Sequence, residues 1–394
     1  MNSNYPQRKR PVVIVEKLTA SAVDCIHRVL DRTGIAETMP WLAGPVLVKP
    51  NLTVAAHPSG GAVTSPETVR CVVNWLRSRG ARNIIVGDGS TIGTRSEELF
   101  EVTGYKRLCR ELEVPLVDLN NDAAEALSLP GARLLKTVMV SRTAARASLI
   151  VNIPVWKTHI HTGVTLALKN LKGIILPSEK KRCHLEGLDR AVADLSLLPL
   201  RQLVLADGST GQEGLGPLTG TPRRAGYVVA GTHPLSVDII CSWMMGFNPP
   251  DIKHLALAAV FDKSLPDPSS TEVKGPLIRL SPPFKQALEV FEKTFSGVTV
   301  MDEGACSACL GGVLVALHRM KQAKELDQLR DRFGIVTVAV GPGEKTSAGT
   351  VIRVGNCQCD YKTGSLVRGC PPQGWLIRDA LRALLGLPPL FPLS

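Results

Sequence analysis

Short apolar runs recur along this chain, and each stops at polar or turn-forming residues. Val12-Val13-Ile14-Val15, Val46-Leu47-Val48 and Asn83-Ile84-Ile85-Val86 come first; Leu149 to Pro154, Gln202 to Ala206 and Tyr227 to Gly231 repeat the pattern. Runs this short, without polar alternation, predict strands covered on both faces. Helical spacing fills the gaps. Ser21 to Thr33 reads as one helix. Ser65-Pro66-Glu67 opens another, with serine as cap, proline at the first helical position and glutamate in the first turn, and Gly80 stops it. A third follows Thr232-His233-Pro234 and runs through Met245. Strands alternating with helices predict an α/β fold, a doubly wound and mostly parallel sheet.

The same grammar divides the chain. Residues 1–10 read as a disordered tail and 11–285 as one α/β substrate-binding domain. A Pro-, Ser- and charge-rich stretch at 262–285 marks its end. Residues 286–394 read as a smaller α/β unit, with strands at Val298 to Met301, Ile335 to Val340 and Thr350 to Val354 and a last helix from Trp375 to Leu384.

Polar residues at strand ends are where such sheets bind ligands. Lys49 and Asn51 follow one strand, Asp88 another and Asp207 a third, and a doubly wound sheet brings them to one edge. Asp-Gly-Ser occurs at both 88 and 207. Lys157-Thr158-His159-Ile160-His161 follows a strand directly and leads to a helical segment ending in Lys169-Asn170, with Lys172 just beyond. His159 and His161 alternate, so an extended backbone points them the same way, as a metal pair or as proton-transfer groups. Lys157, Lys169 and Lys172 repel a cation and favour a carboxylate or phosphate. His184, Glu186 and Asp189 read as an exposed helix start.

Charge bears on partners. The formal net charge is +11, but Lys and Arg are spread along the chain. Without a zinc finger, an RNA-binding aromatic pattern or a basic helix, nucleic acid is excluded in favour of an anionic small molecule or an acidic redox partner protein. No secretory segment or membrane-length apolar stretch is evident, so a cytoplasmic protein is expected, with homo-oligomerisation left open.

Five of the ten cysteines fall near the C-terminus, in short clusters beside Gly or Pro: Cys306 and Cys309 as C-x-x-C, Cys357 and Cys359 after Gly355-Asn356, and Cys370 within Gly369-Cys370-Pro371-Pro372. In a reducing compartment such thiols read as metal ligands, for iron–sulfur or for zinc. Only the first pair has the spacing of a zinc knuckle, which favours iron–sulfur. The isolated Cys25, Cys71, Cys109, Cys183 and Cys241 read as packing residues.

Two resemblances extend these readings. Val48-Lys49-Pro50-Asn51-Leu52, Thr64-Ser65-Pro66-Glu67, Val86-Gly87-Asp88-Gly89, the run from Val151 to His159, Thr162-Gly163-Val164-Thr165, Leu168 to Gly173, Ala206-Asp207-Gly208 and Gly231 to Asp238 resemble the domain-of-unknown-function 362 family over about residues 12–250. Many members of that family carry iron–sulfur modules, although the ferredoxin cysteine run is missing here. Residues 298–394 resemble the cluster-binding domain of nickel–iron hydrogenase small subunits and the related complex I subunit. That resemblance implies one [4Fe–4S] cluster on Cys306, Cys309, Cys357 and Cys370, with Cys359 as an alternative third ligand. It does not imply hydrogenase activity. The combined expectation is an iron–sulfur oxidoreductase or electron-transfer protein. In it Lys49, Asn51, Lys169, Asn170 and Lys172 bind an anion, and Lys157, His159, His161, Asp88 and Asp207 carry chemistry. The alternative is a non-redox assembly or binding factor with a structural metal site.

Overall fold

The computed structural model describes residues 10–38, 44–217, 219–302, 305, 307–343, 349–361 and 363–390. The chain forms two compact units, Met1–Lys180 with Asp189–Ala287, and Lys181–Leu188 with Leu288–Ser394.

The larger unit is built on an eleven-stranded sheet. Its strands are β1 (Val12–Lys17), β2 (Val46–Lys49), β3 (Ile84–Asp88) and β4 (Leu116–Asp118). After a separate hairpin of β5 (Ala124–Ser128) and β6 (Thr137–Ser141) come β7 (Leu149–Asn152), β8 (Val155–His159), β9 (Gly163–Thr165) and β10 (Gln202–Glu213). The last are β11 (Thr221–Arg223), β12 (Tyr227–Gly231) and β13 (Glu272–Lys274). The main order is β13-β1-β12-β10-β7-β2-β3-β4. The run β10-β7-β2-β3-β4 is parallel. The sheet is mixed, because β12 runs antiparallel to both β1 and β10.

The all-apolar reading of the strands holds. All residues of β2, β7 and β12 are buried. The helices Ala22–Asp31 and Pro66–Ser78 supply Ile26, Val29, Leu30, Val69, Val72, Val73 and Leu76 to one continuous core with Val46, Val48, Val86, Leu149 and Val151. The Ser65 hydroxyl accepts from the Glu67 amide, as expected of the cap that opens Pro66–Ser78.

Two local readings need correction. Asp207-Gly208-Ser209 does not follow a strand but lies inside β10, which continues to Glu213 with a register shift against β8 between Asp207 and Gln212. Lys157-Thr158-His159 does not lie beyond a strand end. It is strand β8, held between β10 and β9 and buried throughout.

The smaller unit holds a parallel four-stranded sheet: β14 (Val298–Asp302), β15 (Val336–Val340), β16 (Thr350–Val354) and β17 (Ser365–Val367), in that order. The helices Ser307–Gln322, Glu325–Phe333 and Gly374–Leu384 accompany it. Buried Glu325 receives Arg378 Nη2 at 2.9 Å, and Arg382 also pairs with it, which ties the last helix to Glu325–Phe333. The first nine residues of the expected tail lie outside the described residues.

Candidate functional site

In the larger unit the parallel register sets the site. Lys49 is level with Asn152 across β2 and β7, and Asn152 is level with Val204 of β10. Side chains just past these positions therefore meet at one sheet edge. Lys49 and Asp88 are both buried, and Lys49 Nζ lies 2.7 Å from Asp88 Oδ1. Asp88 also accepts the amides of Leu52 (2.6 Å) and Gly89 (2.9 Å). A buried pair persists only when its remaining lone pairs are satisfied, and this one meets the condition. Gly173 seals it: a β-carbon there would sit 2.0 Å from Asp88 Oδ1 and 2.6 Å from Lys49 Nζ.

Two further lysines are buried around Asp88. Lys157 is 0% exposed, and its Nζ donates to the Ala62 carbonyl (2.7 Å) and Thr53 Oγ1 (3.1 Å). Lys180 donates to the carbonyls of Gly89 (2.8 Å) and Ser90 (3.1 Å) and to Asn120 Oδ1 (2.5 Å). Burial pushes each of these amines down to about 7, against a smaller upward pull from Asp88 and with a further push from the Lys49 charge. Burial also lowers Lys49, although Asp88 opposes it. Lys169 is half-buried yet strongly desolvated, and Lys172 and Lys157 add to the lowering while Asp189 opposes it. Three buried amines thus surround one buried carboxylate, with Asp118 adding only a minor pull on Lys180. The region is short of negative charge.

A chain of amides crosses the same edge. Asn51 Nδ2 donates to Asn170 Oδ1 at 2.8 Å, Asn170 Nδ2 to Asn152 Oδ1 at 2.8 Å, and Asn152 Nδ2 to the Ala167 carbonyl at 3.0 Å. The short helix Ala167–Asn170 is pinned by Asp238, which accepts the amides of Ala167 (2.6 Å) and Leu168 (2.9 Å). Burial raises Asp238 to about 7 despite these two donors. Asp207 accepts Thr68 Oγ1 at 2.7 Å and the Ser209 amide at 2.9 Å. His159 ends β8, and its Nδ1 accepts the amides of His161 (3.1 Å) and Thr162 (3.4 Å). The two imidazoles are 5.6 Å apart across a turn, so it is the turn and not an extended backbone that brings them together.

In the smaller unit the cysteines follow strand ends. Cys357 comes three residues after Val354 of β16 and Cys370 three after Val367 of β17, and these two valines are register partners. Their loops are joined: the Asn356 amide donates to the Gly369 carbonyl (2.9 Å), and the Gly369 amide donates to Asn356 Oδ1 (2.8 Å). Buried Cys309 lies in the helix Ser307–Gln322, which follows β14. A β-carbon at Gly355 would lie 3.3 Å from Cys309 Sγ and 3.4 Å from Cys357 Sγ, so these two sulfurs flank the same glycine. Cys357, Cys359 and Cys370 are exposed, and Cys359 Sγ is 3.6 Å from Asp360 Oδ1. Cys306 lies outside the described residues. Among those residues no three His, Cys, Asp or Glu side chains stand together as a metal site.

Residues 46–243, half of the chain, match the family described as Domain of unknown function (DUF362). The chain belongs to that family. A relative, the thylakoid-associated protein sll1697 of Synechocystis sp., is 27% identical over 219 residues, 54% of this chain and 66% of its own length. The chain thus spans just under two thirds of that relative. Among solved structures, the lactate racemase apoprotein from Thermoanaerobacterium thermosaccharolyticum is similar at 13% identity, with a TM-score of 0.36, over 85% of this chain and 70% of its own.

The DUF362 segment contains the whole lysine and asparagine arrangement and none of Cys306, Cys309, Cys357, Cys359 and Cys370. Of the residues singled out in the sequence, the structure joins Lys49 to Asp88 and Asn51 to Asn170, and couples Lys157 and Lys172 electrostatically to Lys169. Asp207 is engaged separately, with Thr68. Sequence reasoning missed Lys180, Thr53, Asn152, Asp238 and Gly173 as parts of the site. A helix as polar as Pro177–Glu186 carries no pattern that marks one of its lysines as buried. Asp189, read with His184 and Glu186, instead pairs with His254. Among the described residues no helix is long and apolar enough to cross a membrane.

Proposed function

We propose that this DUF362 protein is an iron–sulfur oxidoreductase or electron-transfer protein that takes a small organic anion, carboxylate or phosphate, at the sheet edge of its larger unit. The observation that carries the anion is the uncompensated positive charge. Lys157 is wholly buried and, among the described residues, has no carboxylate among its hydrogen-bond partners, beside a Lys49–Asp88 pair that already neutralises itself. An anion entering there converts a costly buried cation into a satisfied ion pair. Lys157 and Lys169, with Lys172 nearby, supply the charge. Asn51 and Asn170 shape the edge. Lys49, Asp88 and Asp207 hold the backbone in place. His159, with Nδ1 occupied by two amides, carries its proton on Nε2, where it can serve a proton transfer, with His161 beside it.

The cysteine-bearing loops support the electron-transfer part. Cys309, Cys357 and Cys370 all follow strands of one parallel sheet, and two of the sulfurs flank Gly355. Cys306, Cys309, Cys357 and Cys370 would hold a [4Fe–4S] cluster, which supplies single-electron steps when bound. Cys357 is the better third ligand, since Cys359 faces the Asp360 carboxylate, which disfavours a second negative charge. Two experiments test the parts separately. Calorimetric titration with inorganic phosphate and with oxalate should give saturable binding that Lys157→Met weakens at least tenfold. Iron analysis should show that Cys357→Ala loses metal and Cys359→Ala keeps it. Absence of both results would leave the non-redox assembly factor as the better reading.

A further inference from the structure

His254 is a buried titratable group outside the anion site. It is 0% exposed, and its Nδ1 lies 3.3 Å from Asp189 Oδ1. Its other ring nitrogen, Nε2, is buried and has no hydrogen-bond partner among the described residues. Such a buried orphan is costly and calls for an explanation. The surroundings supply one. Asp189 is the acidic group that acts on Lys169, and Lys169 also senses Lys157. Thr165 is opposite Lys157 in the β8–β9 register, and its Oγ1 is a second buried group without a partner among the described residues. Asp238 fixes the segment between Thr165 and Lys169 by accepting the Ala167 and Leu168 amides. A hydroxyl and an imidazole nitrogen, both buried and without a partner among the described residues, thus lie on segments that pack together: a β-carbon at Gly163, two residues before Thr165, would lie 3.7 Å from Ile252 Cγ1, two residues before His254.

We propose that Asp189 and His254 form the acid–base pair of the anion site, with Asp189 fixing the imidazole tautomer and His254 Nε2 and Thr165 Oγ1 receiving the polar end of the bound anion. This rests on the anion-site reading and deepens it. With Nδ1–H donated to Asp189, Nε2 presents a lone pair and can accept a proton from a hydroxyl or acid group of the ligand. Asp189 then stabilises the imidazolium, as a carboxylate behind a histidine does. The proton passes from ligand oxygen to Nε2 and returns by the same route, so no co-reactant is needed. The ligand class is a small carboxylate or phosphate bearing an adjacent hydroxyl or ionisable oxygen, which satisfies Lys169 and His254 at once.

The test uses the full chain labelled with 15N-histidine. Glycolate and inorganic phosphate, each with a hydroxyl proton to offer, are titrated into wild type, Lys169→Met, His254→Gln and Asp189→Asn. The expected result is saturable binding by wild type, a shift of the His254 Nε2 resonance on saturation, and at least tenfold weaker binding in all three variants. If wild type binds neither probe, the anion-site reading and this inference both fall. If wild type binds and Lys169→Met weakens it, while the His254 resonance stays fixed and His254→Gln and Asp189→Asn bind as wild type, the acid–base pair is overturned and the anion site stands. The wild-type spectrum decides the matter even if a variant fails to fold.

Discussion

Lys157 shows how much a single buried amine can report. Its folded ionisation near 7 lies below the ordinary 10.5 because burial removes water from the ammonium. Between those two values the unfolded chain holds a proton that the folded chain has lost, so stability rises with pH across that window, by up to about 1.4 kcal/mol per pH unit for each such lysine. Lys180 adds to the same window. Asp238 acts at the other end: its folded value near 7 exceeds the ordinary 3.8, so ionising it on going from about pH 4 to 7 lowers stability. Urea denaturation at several pH values should therefore show a fall toward neutrality that Asp238→Asn flattens, then a rise above pH 7 that Lys157→Met reduces. Because a bound anion favours the charged amine, affinity for phosphate or oxalate should decline as pH rises past 7, measurable by calorimetry. Gly173→Ala belongs at this scale too. Its new carbon has 2.0 Å to Asp88 Oδ1, so the Lys49–Asp88 pair must open. A loss of about 3 kcal/mol or more in denaturant titrations is expected.

At the scale of elements, the chain declares what is apolar and conceals what is polar. β2, β7, β12, β15 and β16 were legible because short aliphatic runs have few other homes, and Ser65-Pro66-Glu67 announced the helix Pro66–Ser78. β8 was not legible. Lys157, Thr158 and His159 have no strand pattern, and they are strand only because β10 and β9 flank them. The continuation of β10 through Asp207-Gly208-Ser209 was hidden likewise, since a turn-forming triplet gives no sign that a neighbouring strand will hold it straight. The gathering of Lys49, Asn51 and Asp88 at one edge could be read from strand order, whereas the burial of Lys180 and the pairing of Asp189 with His254 depend on tertiary contacts between distant segments. The loops after β16 and β17 offer an element-level prediction. Asn356 joins them through its amide and side chain. Asn356→Ala should leave the sheet folded by circular dichroism and lower the bound iron severalfold.

For the whole molecule, the formal charge of +11 takes on a local meaning. Part of that excess is sequestered at a sheet edge inside the DUF362 segment, where the proposed anion would meet it; another part lies on the surface. The chain divides into two units, and the two proposed chemistries divide with them. Cys370→Ala should therefore remove metal without changing phosphate or oxalate affinity by more than about twofold, because the two proposed sites share no residue.

The measurement that bears most directly on the central claim is iron and acid-labile sulfide analysis of anaerobically purified protein, followed by electron paramagnetic resonance after dithionite reduction. About four iron and four sulfide per chain and a signal from a reduced [4Fe–4S] cluster are predicted. Colourless protein holding zinc in place of iron would contradict the account.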